Sequence, residues 1–134
     1  MDERVRVSTL SAAEVERVSS LEPAERYERF LEDVTSSGVV WVLAHATKLA
    51  LVGHQDGTPY VPVWPHPTHA EAERRHGWDD YEPTAIGLED WIAAALEDLA
   101  GDGIAIGVFP VFENGAWLMD ADELAAALRE PRQR

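Results

Sequence analysis

Val39-Val40-Trp41-Val42-Leu43, entered through Gly38, is the stretch whose reading decides the fold. Its residues are β-branched, aromatic or aliphatic without interruption, the composition of a largely buried strand. Immediately before it the apolar period is helical: Tyr27, Phe30, Leu31 and Val34 fall at i, i+3, i+4 and i+7. Pro23 after Glu22 suits the first turn of that helix, and Ser36-Ser37-Gly38 ends it. One chain therefore carries both element types, with a clean change of period at Gly38.

On either side of this junction the same signals recur. Ser11 and Glu14 have capping-box spacing, so a short helix starts after Ser11. Downstream, Leu49-Ala50-Leu51-Val52 reads as the hairpin partner of the Val39–Leu43 strand. Asp56-Gly57 marks a turn between His54 and Pro59. Tyr60 to Trp64 is a third strand, and Pro62, which has no N–H, puts it at an edge or leaves its N–H side free. Trp64-Pro65-His66-Pro67 leaves the sheet extended, and Thr68 caps a helix over Ala70 to Arg75. Asp79 to Gly87 reads as a connecting loop. Leu88, Trp91, Ile92, Ala95, Leu96 and Leu99 form a helical stripe opposite Glu89, Asp90, Glu97 and Asp98. Ile104 to Phe109 is a fourth strand, Asn114-Gly115 a hairpin turn, Ala116 to Met119 a fifth strand, and Asp120 caps a last helix carrying Leu124 and Leu128. The order ααβββααββα predicts an α+β fold: a mostly antiparallel sheet of about five strands with helices packed on it. Residues 1–20 read as an extension with a short helix, 21–130 as one domain and 131–134 as a tail.

Composition narrows the function classes. The 134 residues contain no cysteine, which removes disulfides, thiolate nucleophiles and cysteine-ligated metals. No apolar run resembles a signal peptide or a span, so the expected location is cytoplasmic. The formal net charge is −14, and Gly77 to Leu128 contains neither Lys nor Arg. Such a surface repels nucleic acid and anionic lipid, both of which need cations to neutralise phosphate. It serves either as a solvated face that keeps the chain soluble or as a face that attracts a basic protein partner.

Tyr60-Val61-Pro62-Val63-Trp64-Pro65-His66-Pro67 is an unusual string. It is joined by Arg26-Tyr27-Glu28-Arg29-Phe30-Leu31 upstream, and by Tyr81-Glu82-Pro83, Leu88-Glu89-Asp90-Trp91 and Gly103 to Pro110 downstream. On these residues, from about Leu21 to Leu128, the chain resembles the bacterial domain-of-unknown-function family 2750. More distantly it is similar to the N-terminal domain of SseB-like secretion-associated proteins, and small acidic families of this kind include immunity proteins. The resemblance implies a compact α+β fold and no transferable catalytic residue.

Candidate chemistry is sparse. His66 and His69, with His76, Glu71 and Glu73 nearby, have the residue types of a zinc site, but Pro67 breaks the helical spacing that would bring them onto one face. Surface or capping histidines are the simpler reading, and neither a metal nor any other cofactor is expected. His66 with Asp79, Asp80 or Glu82 would make an acid–base pair, although carboxylates are so abundant that their nearness to a histidine means little. No nucleophile elbow or phosphate loop is present. Most of the aromatic residues suit a core. Trp64, Trp78 and Tyr81 differ because they flank proline-rich or acidic connections, where half-exposed rings make interface anchors. The segment from Trp64 to Pro83, with Trp64, His66, Trp78, Asp79, Asp80, Tyr81 and Glu82, is thus the candidate binding surface. The expected role is a non-enzymatic binding or regulatory module, with a small enzyme built on His66 as the alternative. The Pro62 edge also permits pairing with a second copy.

Overall fold

The computed structural model describes residues 10–53, 59–111 and 115–130. The expected turn at Asp56-Gly57, Asn114 of the expected Asn114-Gly115 turn, the residues before Leu10 and the 131–134 tail lie outside these. Among the described residues the architecture is α+β, with six strands in two three-stranded sheets rather than five in one. Helix α1 (Ala12–Ser19) is capped by the Ser11 hydroxyl, which accepts from the Glu14 N–H at 3.1 Å. The Glu14 carboxylate bonds Arg17 and also Arg29 of α2 (Pro23–Ser37), tying the first helix to the second. Glu22 and Glu25 complete a capping box at the start of α2. Gly38 ends the helix at φ 77°, a left-handed conformation that costs glycine least.

Strand β1 (Val39–His45) buries Val40, Val42 and Leu43 completely. The short β2 (Lys48–Leu49) pairs with its end. The other edge of β1 carries β4 (Glu82–Gly87), in antiparallel register from Val39↔Gly87 to Ala44↔Glu82. This corrects the loop expected over Asp79 to Gly87. Pairing with a strongly apolar neighbour outweighs weak local propensity, and Pro83 is tolerated because β4 is an edge strand. The hairpin partner expected over Leu49 to Val52 is also shorter than read. Ala50 still donates to the Leu43 carbonyl, but Val52 turns away and exchanges two hydrogen bonds with Tyr60.

In the second sheet β3 (Tyr60–Val63) runs parallel to β5 (Ala105–Val111), and β6 (Gly115–Met119) returns antiparallel to β5. The sheets meet where Trp41 and Trp64 exchange backbone hydrogen bonds of 2.9 and 2.8 Å. Strand β3 is an edge of its sheet, the first of the two places Pro62 allowed. Tyr60 and Trp64, one alternation away on either side, bond back toward Val52 and Trp41. Pro62 falls in the gap between those bridges, where no N–H is needed.

Helix α3 (Pro67–Arg74) starts one turn before the sequence suggested. Its N-cap is His66, not Thr68: the His66 Nδ1 accepts from the Thr68 N–H at 3.1 Å, and Pro67 takes the first position. The stripe from Leu88 forms a continuous helical segment: α4 (Leu88–Asp90), a π-helical turn (Trp91–Ala95) and α5 (Leu96–Gly101). Helix α6 (Ala121–Arg129) follows a capping box of Asp120 and Glu123 and packs on α5, α2 and β5. Phe30, Val40, Val63, Ile106, Phe109 and Leu124 are wholly enclosed at the centre of one core. No helix of the described residues is long and apolar enough to cross a membrane.

Candidate functional site

The site begins with an irregularity in β5. The register between β5 and β6 shifts between Val108 and Val111, and Phe109 in that bulge has φ 54°. A left-handed, aromatic residue followed by proline is strained by about 1–3 kcal/mol and persists only where its surroundings hold it. Two contacts do so here. The Phe109 ring lies 4.7 Å from the buried His69 ring, and the Phe109 carbonyl accepts from the Arg26 Nε at 3.0 Å.

Arg26 is wholly buried, which the sequence reading missed. The signal was present: Arg26 precedes Phe30 by four residues and so shares its inward face. Besides Phe109, its guanidinium donates to the carbonyls of Leu21 and, at 2.6 Å, Gly115. Burial lowers its pKa, while the carboxylates of Glu73 and Glu22 act in the opposite direction. The cation therefore clamps α2 to both strands of the β5–β6 hairpin, with Glu73 of α3 in electrostatic reach.

Beyond this clamp a cleft of about 260 Å³ opens. Tyr60 and Pro62 of β3 with Trp64 just after it form one wall, and Pro110 and Val111 of β5 with Gly115 and Ala116 of β6 form another. Glu73, His76 and Trp78, from the end of α3 and beyond, close it, and Val52 completes the lining. Trp64 is 1% exposed, a core residue rather than the half-exposed ring expected from its place beside Pro65, and its indole N–H is fixed to the Pro110 carbonyl at 3.0 Å. Tyr60 is half-buried, and burial raises its phenol pKa.

Trp78 belongs to two surfaces. It lines the cleft, and its ring meets Tyr81 edge-on at 5.1 Å. Tyr81 in turn lies 5.7 Å from the His45 ring. Asp79, Asp80 and Glu82 are exposed around this pair. Their turn is held by backbone carbonyls: Asp79 accepts from Arg74 and Asp80 from the His45 Nδ1, each at 2.9 Å. Arg74, bonded to the Asp79 carbonyl, also feels the charges of the Asp79 and Glu82 carboxylates, which help raise its pKa after the larger effect of Glu71.

The structure therefore brings together Trp64, Trp78, Asp79, Asp80, Tyr81 and Glu82 along one cleft and its margin, and adds Tyr60, Glu73 and His76. It sets His66 apart. His66 caps the start of α3, its Nδ1 lone pair committed to the Thr68 N–H, whereas the Asp79 carbonyl is bonded to Arg74 at the helix end. Eight helical residues at ~1.5 Å each separate the two ends by roughly 12 Å. His69, at 6% exposure, meets His66 edge-on at 6.4 Å; burial first, then the charges of His66 and Arg29, lower its pKa to about 4. Glu71 is engaged by both Nε and Nη2 of Arg74. Among the described residues no three His, Asp or Glu side chains gather at metal-binding distance.

A family model described as protein of unknown function (DUF2750) matches residues 27–128, from the first turns of α2 almost to the end of α6. The match contains every residue that lines the cleft. No curated protein matches the chain.

Proposed function

From the premise that the chain belongs to the DUF2750 family, we propose that it is a non-enzymatic binding module of the regulatory or immunity kind, which captures a basic protein partner in the cytoplasm. The observation that carries this reading is the Trp78–Tyr81 edge-on pair, half-buried and ringed by the exposed Asp79, Asp80 and Glu82. Rings held in place by packing lose little entropy on contact and supply desolvated anchors. Carboxylates around them steer a cationic surface toward the anchors and speed encounter. The net charge of −14 adds a field of the same sign. The cleft supports the reading too, because 260 Å³ is below the ~300–1,000 Å³ of most small-molecule sites.

The test is capture of a stoichiometric partner from native lysate, followed by binding measurements with the purified pair. The triple change Asp79→Asn, Asp80→Asn, Glu82→Gln is expected to slow association about tenfold at low ionic strength. Trp78→Ala with Tyr81→Ala is expected to speed dissociation. A partner of acidic or neutral surface, or capture indifferent to salt, would sink the proposal.

A further inference from the structure

Four strands stand at the edges of the two sheets, and three of them are guarded. Open strand edges invite pairing with other chains, and natural sheets blunt them with proline, charge, bulges or short length. Strand β2 has two residues, one of them Lys48. Strand β4 carries Glu82 and Pro83, and β3 carries Pro62 between its bridges to Val52 and Trp41. Strand β6 has none of these devices. Gly115-Ala116-Trp117-Leu118-Met119 contains neither charge nor proline, and the bulge opposite it lies in β5. Among the described residues β6 pairs with β5 and with no other strand. It leaves apolar surface on both faces: Trp117, stacked on Tyr27 of α2 at 5.4 Å, is 37% exposed, and Leu118, on the opposite face beside Gly107, is 43% exposed. The surrounding charge selects the strand that fits. Strand β6 lies inside the span from Gly77 to Leu128 that has no Lys or Arg, and the exposed Asp120, Asp122 and Glu123 follow it directly. The same acids, on a chain of net charge −14, oppose a second copy at this edge.

We infer that β6 is an augmentation edge: a strand of the basic partner pairs with Gly115–Met119, its alternate apolar side chains covering Trp117 and Leu118 and a cationic end lying against Asp120, Asp122 and Glu123. Backbone hydrogen bonds supply affinity, and side chains and charge supply selection. The inference rests on the proposed binding role and gives the captured partner its local form. The cleft that runs from Trp78 to Gly115 and Ala116 makes the acidic aromatic surface and the β6 edge continuous.

The probes are the acetylated, amidated heptapeptide Lys-Val-Thr-Val-Thr-Val-Lys and its counterpart with glutamate at both ends. Binding is followed at low ionic strength by the backbone amide resonances of residues 115–119 and the Trp117 indole N–H. The lysine peptide is expected to shift these signals and to bind about tenfold tighter than the glutamate peptide. Two further lysine peptides carry N-methyl groups, one on its threonines and one on its valines. A strand presents alternate N–H groups to opposite sides, so methylating the set that faces β6 should weaken binding at least about tenfold, and the other set less than about twofold. Leu118→Lys places a guarding charge on the exposed edge and should also weaken the lysine peptide at least about tenfold. The methylated peptides need no change to the protein, so they decide the matter whatever that variant does to stability. Equal effects of the two methylation patterns overturn the inference, because side chains alone would then hold the peptide. So do shifts confined to residues 78–82, absence of binding by both unmethylated peptides, or a dimer in sedimentation whose interface joins β6 of two copies. Partner captured with unchanged affinity by the Leu118→Lys chain overturns it while leaving the binding role intact, and salt-insensitive capture removes that role separately.

Discussion

Replacing Gly107 by alanine tests how the cleft wall is seated. Gly107 lies on β5 opposite Pro62, and its missing side chain leaves room for the Tyr60 ring. A Cβ there would stand 2.4 Å from both Cδ1 and Cε1 of Tyr60. Carbon atoms rest at ~3.5–4.0 Å, so the ring must retreat by at least about 1 Å. Its backbone cannot follow, because the Tyr60 N–H and carbonyl are both bonded to Val52. Overpacking of this kind costs about 1–3 kcal/mol. Against that, alanine lowers the entropy of the unfolded chain, a gain of about 0.4–1 kcal/mol at a position with ordinary φ. The net expectation for Gly107→Ala is a loss of roughly 1–2 kcal/mol in urea unfolding followed by tryptophan fluorescence. In a Tyr60→Ala background the obstruction is gone, and the same change becomes neutral or stabilising by about 0.5 kcal/mol. If Gly107→Ala costs as much without the Tyr60 ring as with it, the seating is wrong. An unchanged midpoint in the parent chain refutes it equally.

Three further outcomes follow from the same geometry. Trp64 and Trp91 are both buried, but the Trp64 indole bonds Pro110 whereas the Trp91 Nε1 has no partner among the described residues. Trp64→Phe should therefore cost about 1–2 kcal/mol more than Trp91→Phe in chemical denaturation. Arg26→Lys keeps the charge but cannot reach three carbonyls at once, and is expected to lose about 2–4 kcal/mol; a loss below about 1 kcal/mol would contradict the clamp. For His69, the folded pKa near 4 lies below the ordinary 6.5, so from pH 6.5 downward the unfolded chain takes a proton that the folded chain refuses. Stability is unaffected by this group above pH 6.5 and falls as pH drops toward 4, by roughly 3 kcal/mol in all at ~1.4 kcal/mol per unit. His69→Phe should flatten that slope, and a parallel pH profile for the two proteins would refute the assignment.

Elements with strong local signals were legible in the sequence, and those that depend on distant neighbours were not. Helix α2 shows its stripe, its proline and its terminal glycine, and the Val39–Leu43 run can hardly be other than a strand. Strand β4 carries little of this. Only Pro83 and Ile86 are half-buried in it, so neither alternation nor hydrophobicity marks Glu82 to Gly87 against a loop. The stripe from Leu88 was read with a period of 3.6, yet the buried residues are Trp91, Leu96 and Leu99. The π-helical turn inserts a residue between Trp91 and Leu96, and Ile92 and Ala95 are left half-buried. The acidic and aromatic residues from Trp78 to Glu82 could be nominated because they are adjacent in the chain. The cleft beside them could not: its walls come from residues as far apart as Val52 and Ala116, joined only by the parallel pairing of β3 with β5 and the bulge that follows.

The bulge and the buried cation explain each other. Without Arg26, the Phe109 carbonyl would lose a hydrogen-bond partner that holds it beside a strained φ. Without the bulge, which falls between the Val108↔Trp117 and Val111↔Gly115 pairs, Pro110 would stand in a regular β5–β6 ladder. The Gly115 carbonyl binds the same guanidinium, so the wall from β6 is set by that contact as well. A lysine, a point charge on a flexible stem, could not span the hairpin in this way. Arg26 is therefore a residue whose removal should disturb fold and cleft together, whereas the exposed Asp79, Asp80 and Glu82 can be changed with the core intact. That separation lets binding be dissected without dismantling the core that supports it.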